Sequence, residues 1–196
     1  MKQICIITVI ALLSIFSVNA QNVQFGAKVG VNFASINGDD TDELDMRTSF
    51  HVGVFSELSY SEKFSLQPEL IYSSQGAKMS DEGFDVSIKL SYINLPIIAK
   101  YYLTEGLSLE AGPQFGLLLS AKVESEFDGE SEEEDIKDEL NDFDFGINFG
   151  VGYKLENGIN FTARYNYGFT NLADTEDLDD TKINNGVIQL SVGYNF

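Results

Sequence analysis

The chain has 196 residues, with 12 Lys and Arg against 31 Asp and Glu, for a formal net charge of −19. That balance excludes nucleic acid and anionic lipid surfaces as general partners. Aromatic content is 12%, all of it Tyr and Phe, and Gly is abundant at 17, a composition unusual for a soluble domain.

Residues 1–20 read as a secretory signal peptide. Lys2 gives a positive start, and Ile4 to Val18 form an apolar stretch interrupted by Thr8, Ser14 and Ser17. Val18-Asn19-Ala20 is a small-residue cleavage site. A spanning helix needs about 20 apolar residues, which this stretch does not reach. Residues 21–196 then form one domain beginning at Gln21. The one cysteine, Cys5, lies inside the signal, so the mature chain has neither a disulfide framework nor a lipid-bearing amino-terminal Cys.

From Val23 onward the dominant signal is alternation, a strand signal. In the first segment the odd positions Val23, Phe25, Ala27, Val29, Val31 and Phe33 are apolar. The second offers Phe50, Val52, Val54, Ser56, Leu58 and Tyr60, and the third Phe64, Leu66, Pro68, Leu70 and Tyr72. The fourth has Ile93, Leu95, Ile97, Ala99 and Tyr101. The fifth has Leu107, Leu109, Ala111, Pro113, Phe115, Leu117, Leu119 and Ala121. Phe143 to Leu155, Ile159 to Phe169 and Ile188 to Phe196 repeat the pattern on odd or even positions throughout. None of these positions is charged in a chain that is 22% charged. A bilayer imposes that rule, penalising a mid-depth charge by about 2–4 kcal/mol.

Connections alternate in length. Short turns fall at Ser61-Glu62, Thr104-Glu105-Gly106 and Glu156-Asn157-Gly158; long polar loops fall near 34–48, 74–86, 121–141 and 171–186. Eight strands with both termini on the short-turn side describe an all-β, eight-stranded antiparallel up-and-down transmembrane barrel. Pro68, Pro96 and Pro113 fall inside strands, so bulges are expected there. Val86, Ile88 and Leu90 are apolar at even positions and Ile93 onward at odd ones, which predicts a bulge near Tyr92.

Three stretches carry a family resemblance. Gly26-Ala27-Lys28-Val29-Gly30-Val31-Asn32-Phe33, Tyr92-Ile93-Asn94-Leu95-Pro96-Ile97-Ile98-Ala99-Lys100-Tyr101-Tyr102 and Arg164-Tyr165-Asn166-Tyr167-Gly168-Phe169-Thr170-Asn171 resemble strands of the PorT-like outer-membrane β-barrel family. The resemblance implies an outer-membrane barrel over the whole mature chain. The member after which the family is named serves a protein secretion and gliding apparatus, a role that strand motifs do not carry over.

The inward phase places Lys28, Lys100, Lys154 and Arg164 against Glu57, Glu69, Glu110 and Asp144. An eight-strand lumen is narrow enough for side chains to fill, and charges buried there must pair, so a salt-bridged polar core is expected. His51 is the only histidine. With Ser49 or Ser35 and a loop acid it could build a lipid-modifying hydrolase, but no nucleophile motif frames those serines. One histidine and no mature cysteine leave no basis for a zinc site, and no cofactor is expected. The chain ends Val192-Gly193-Tyr194-Asn195-Phe196, and Tyr194 and Phe196 resemble the carboxy-terminal signal by which the barrel assembly machinery recognises its substrates.

Most acid sits in the loops: Asp39, Asp40, Asp42, Glu43 and Asp45 in the first, Glu124, Glu126, Asp128, Glu130, Glu132, Glu133, Glu134, Asp135, Asp138 and Glu139 in the third, and Asp174, Glu176, Asp177, Asp179 and Asp180 in the last. The expected function is a non-enzymatic, monomeric barrel of the bacterial outer membrane. It serves as envelope structure or as a docking surface for an extracellular or envelope protein. Its partners are outer-membrane lipid and the assembly machinery; the acidic loops read first as solvated surface, with divalent cations as the alternative, since none reproduces the spacing of an EF-hand loop. The rival readings are a narrow channel or secretion accessory and, third, an enzyme acting on outer-leaflet lipid.

Overall fold

The computed structural model describes residues 23–38, 41, 44–81, 84–127, 130–173 and 182–196. The expected signal peptide lies outside the described residues. Nine strands follow in order: β1 Val23–Gly38, β2 Asp45–Ser61, β3 Phe64–Asp81, β4 Phe84–Tyr102, β5 Leu107–Phe127, β6 Glu130–Asp135, β7 Phe143–Lys154, β8 Ile159–Gly168 and β9 Ile183–Asn195. Eight of them close a ring, β1-β2-β3-β4-β5-β7-β8-β9 and back to β1, with every pairing antiparallel. Closure is made by β1 and β9, in register from Gly26↔Asn195 to Gly38↔Ile183. β6 stands outside the ring and, among the described residues, pairs only with the far end of β5, Lys122↔Asp135 through Phe127↔Glu130.

Alternation sets the two faces of the wall. Val29, Val54, Leu70, Leu95, Leu109, Val151, Phe161 and Leu190 are exposed, whereas Lys28, Glu57, Glu69, Lys100, Glu110, Asn148, Arg164 and Gln189 are buried. A surface this apolar around a charged interior fits only a lipid surround. Aromatic pairs mark both rims. At the long-hairpin end Phe115 meets Phe145 at 5.4 Å and Phe145 meets Phe169 at 6.1 Å. At the short-turn end Tyr60 meets Phe64 at 6.1 Å and Tyr194 meets Phe196 at 5.5 Å. From Phe143 to Tyr153 is ten residue steps along β7, roughly 33 Å along the strand, or about 25 Å along the normal at ordinary tilt, the height of an apolar band.

Beyond the outer aromatic rim the pattern inverts. Ile36, Ala77, Leu90, Tyr92, Leu118, Ala121 and Leu172 form a buried apolar cluster, with Leu44, Ile88, Ile136, Leu140 and Ile183 packed around it. The strand ends here face water outside and one another inside, so they follow the ordinary rule of a soluble sheet. This corrects three expectations. The segments read as long polar loops are largely strand: β3 and β4 stay paired to Asp81↔Phe84, and β5 runs on to pair with β6. Ala121 faces the cluster, fully buried, instead of lipid. Val86, Ile88 and Leu90 do not mark a change of phase in β4; its even positions point inward throughout, as buried Leu90, Tyr92 and Asn94 show.

Opposite Tyr92 the extra residue lies in β5 instead, and two further register shifts fall between β2 and β3, at Met46/His51 and Ser59/Ser61. Ser91 pairs with Ser120 but Tyr92 pairs with Leu118, leaving Leu119 as the extra residue. No register shift accompanies the prolines. Across Pro68, β2 and β3 pass from Phe55↔Glu69 to Leu58↔Leu66 in one register. Across Pro113, β4 and β5 pass from Pro96↔Gln114 to Ala99↔Ala111. Each proline lacks an N–H, so a rung of the ladder lapses, but its fixed φ suits an extended chain and no residue is inserted. Gly158 closes the β7–β8 turn at a φ of 89°, and Gly76 lets β3 approach β4 at a φ of 123°, a region open to glycine.

Candidate functional site

Seven of the eight barrel strands contribute a charge to one network in the lumen. Lys28 Nζ on β1 donates to Glu69 Oε2 on β3 at 3.0 Å. Arg164 on β8 reaches Glu69 Oε1 at 2.8 Å and donates from Nε to Glu110 Oε2 on β5 at 2.6 Å. Lys100 on β4 lies 3.5 Å from Glu110 and 3.8 Å from Glu57 on β2. Lys154 on β7 lies 3.5 Å from Glu57 and donates to Gln24 Oε1 at 2.5 Å. Gln67 donates to Glu69 at 2.6 Å, and Tyr102 donates to Glu57.

Glycine makes the room. A methyl group at Gly150 would lie 2.7 Å from Arg164 Cγ, and one at Gly152 would lie 2.4 Å from Glu110 Oε1. Long side chains thus occupy the space that the glycines leave. Asp144 does not join this network. It is buried on β7, its Oδ1 has no hydrogen-bond partner, and no ion pair among the described residues reaches it. Phase gave its inward direction; its height along the barrel separates it from the four cations.

A second polar cluster centres on His51. Its Nδ1 lies 2.7 Å from Asn32 Oδ1 and its Nε2 lies 2.8 Å from Ser191 Oγ. Gln189 also donates to Asn32 Oδ1, at 3.1 Å, and Asn32 Nδ2 donates to Ser73 Oγ and Ser74 O. Asn32 Oδ1 can only accept, so His51 donates from Nδ1 and accepts a hydrogen bond from the Ser191 hydroxyl at Nε2. The serines expected beside His51 are elsewhere: Ser49 donates to Ser74 O and Ser35 to Gly186 O. Ser191–His51–Asn32 has the order of a nucleophile, base and orienter. All three are buried, and the room at Gly30 is filled by the imidazole itself, 2.5 Å from where a methyl would sit. The cluster braces β1, β2 and β9.

The short-turn end opens into a cavity of about 1190 Å³ walled by Gln24, Glu57, Tyr60, Tyr102, Lys154 and Glu156, among others. It stops at the charge network. At the same end Phe196 N–H donates to Phe25 O at 2.8 Å, and Tyr194 and Phe196 show their rings outward. At the opposite end β5 and β6 carry the acid of the third connection. Lys89 pairs with Glu124 across β4 and β5, and Lys122 with Glu133 at 2.5 Å across β5 and β6. Past them Lys137 pairs with Asp142 at 2.5 Å. Hydrogen bonds to those carboxylates hold the Lys122 and Lys137 ammonium groups above their ordinary pKa. Most acids of the first and last connections lie outside the described residues. Among the described residues no three of His, Cys, Asp or Glu converge as a metal site.

A closed ring of eight antiparallel strands, apolar outside and ion-paired inside, defines a small transmembrane β-barrel. The outer membrane protein beta-barrel domain family matches residues 19–174, and the chain belongs to that family, which places it in the bacterial outer membrane. A sequence comparison with curated proteins finds no match. Among solved structures it is similar to Ail, the attachment invasion locus protein of Yersinia pestis, at 16% identity and a TM-score of 0.54, covering 90% of this chain and 100% of that one. It is likewise similar to Neisserial surface protein A at 12% identity and a TM-score of 0.56, with the same coverage. A further structure of Ail holds the heparin analogue sucrose octasulfate, at 15% identity, a TM-score of 0.53 and the same coverage. At these identities the likeness is one of fold.

Proposed function

We propose that this protein is a closed, non-enzymatic membrane anchor for an acidic docking sheet that faces outward from the cell and takes a cationic partner. One observation carries the reading: β5 runs on beyond its last rung with β7, still paired with β4, and takes β6 along its other edge as a hairpin rich in carboxylates. Between residues 122 and 142 eleven carboxylates stand against two lysines. The outer edge of β6 pairs with no other strand among the described residues. A bare edge is a template for strand addition, and its acid guards it against a second copy of itself. The expected partner is therefore an extended, lysine- or arginine-rich protein segment. Ail was crystallised with a polyanion; this chain's charge favours the opposite ligand.

Orientation follows from the short turns and both termini sharing one end, the periplasmic end in such barrels. Within the family, the three strand motifs support a place among PorT-like barrels, and residues 1–20 support export with cleavage after Ala20. The test is binding of a lysine-rich peptide to the barrel in lipid nanodiscs at increasing salt. Native protein should bind with an affinity that falls as salt rises. Replacing Glu132, Glu133, Glu134 and Asp135 by their amides should weaken it at least about tenfold, the effect of roughly 1.4 kcal/mol. Equal binding by both, or tighter binding of heparin than of the peptide, would overturn the reading.

A further inference from the structure

Between the apolar cluster and the charge network the lumen holds a set of asparagines that the barrel's ion pairs do not explain. Asn94 on β4, Asn148 on β7, Asn166 on β8 and Asn185 on β9 are each about 1% exposed, and Asp144 on β7 is 3% exposed. Asn94 and Asp144 flank Gly116, which pairs with both. A methyl at Gly116 would lie 2.8 Å from Asn94 Oδ1, 3.3 Å from Asp144 Cβ and 3.4 Å from Tyr92 Cδ1. One methyl at Gly146 would meet the Asn166 amide at 3.1 Å, and another at Gly168 would meet Asn185 Cβ at 3.4 Å. These polar side chains thus lean into the room that the glycines leave and line a polar chamber of the lumen.

The unpartnered atoms in this chamber are unequal in kind. Asn94 Oδ1, Asp144 Oδ1, Asn148 Oδ1, Asn166 Oδ1 and Asn185 Oδ1 lack a hydrogen-bond donor, while only Asn94 Nδ2 and Asn166 Nδ2 lack an acceptor. The remaining amide nitrogens are used: Asn148 donates to Gln114 Oε1 at 3.3 Å and Asn185 to Tyr92 Oη at 3.3 Å. Five oxygens, one of them a carboxylate's, are left without a donor, and buried acceptors are not left so. Among the described residues no lysine or arginine pairs with Asp144. Glu110 pairs with Gly150, six residues along β7 from Asp144, so the cations of the network lie roughly 20 Å further down the strand. Arg47 is committed to Ser74 and Gln75, and the undescribed residues after Asn22 include no Lys or Arg.

We infer that the chamber binds one hard monovalent cation, Na⁺ or K⁺, held by the Asp144 carboxylate and the side-chain oxygens of neighbouring asparagines. Hard cations take oxygen ligands, and a single positive charge neutralises the single carboxylate, whereas a divalent ion would leave an excess charge buried. The ion enters as the barrel closes and then ties β4, β7, β8 and β9 together.

The experiment refolds the full mature chain into detergent in NaCl, KCl or choline chloride of equal ionic strength and measures the thermal midpoint. An ion that binds only the folded state raises that midpoint. The native barrel should melt at least about 3 °C higher in NaCl or KCl than in choline chloride. Asp144→Asn should melt at one temperature in all three. A native midpoint indifferent to the cation would mean that the chamber holds water and a neutral acid, and would overturn the inference. So would an Asp144→Asn barrel with the native dependence, which would move the effect to the acidic loops. Should that variant not fold, crystals of the native chain grown in RbCl decide: an anomalous peak beside Asp144 supports the site, and its absence sinks it.

Discussion

Glu69 sits between two cations, Lys28 at 3.0 Å and Arg164 at 2.8 Å, with its side chain out of reach of solvent. Removing its charge therefore does more than delete two attractions; it leaves two buried cations with fewer partners. Glu69→Gln should destabilise the barrel by about 3–5 kcal/mol, the usual result of breaking a buried pair on one side. Lys28→Met with Glu69→Leu should cost less, because Arg164 keeps Glu110 and no charge is orphaned at Lys28. Urea midpoints of the refolded single and double variants measure the difference; equal losses would show that the pair is not coupled. Direction was legible for all eight lumen charges, since alternation fixes which way each side chain points. Partnership was not. Asp144 belongs to the same phase as Lys154 on the same strand, yet strand tilt and pairing set its height, and those depend on contacts far along the chain.

On the scale of the element, the boundary between lipid and water is written as an inversion of the hydrophobic pattern. Along β4, Ile93, Leu95 and Ile97 face out below the boundary, and Ile88 and Leu90 face in above it. A single alternation rule reads such a strand as slipped by one residue, which is why a bulge was expected near Tyr92 in β4; a register shift does fall there, but the extra residue is Leu119 on the partner strand β5. The inversion has a direct consequence for outward-facing substitutions. Phe149, exposed mid-wall on β7, should lose about 2–4 kcal/mol when changed to Arg. Ser87, on the outer face of β4 beyond the boundary, should tolerate Arg within about 0.5 kcal/mol. Folding titrations in lipid vesicles would measure both, and equal penalties would mean that the membrane extends over the hairpin arm. Strand β9 makes a different demand, because the barrel has no edge only if β9 meets β1. Deleting residues 192–196 removes the pairs from Gly26↔Asn195 to Val29↔Val192 and the β8 partners opposite them. The heat-resistant folded form should vanish from membranes; its survival at normal levels would show that closure does not need this end.

For the molecule as a whole, the order of layers along the axis decides whether ions can pass. An ion entering from the short-turn end crosses the open cavity and meets Glu57, Lys100, Glu110, Arg164, Glu69 and Lys28, linked across the full width of the lumen. Beyond them stand His51 with its partners and the asparagine chamber, and then the apolar cluster of Leu90, Tyr92, Leu118 and Leu172. To conduct, a chain of water must cross both the ion-paired layer and a dry one. Paired charges resist the first, since separating them leaves each one uncompensated, and apolar side chains resist the second by excluding water. The two barriers act in series, so opening either alone leaves the other. Planar-bilayer recordings at neutral pH should therefore show no steady unit conductance for the native barrel. Arg164→Glu, which disrupts only the lower layer, should be equally silent if it folds. A reproducible single-channel step in the native protein, with its ion selectivity altered by Arg164→Glu, would mean that the lumen is a conduit and would promote transport over docking.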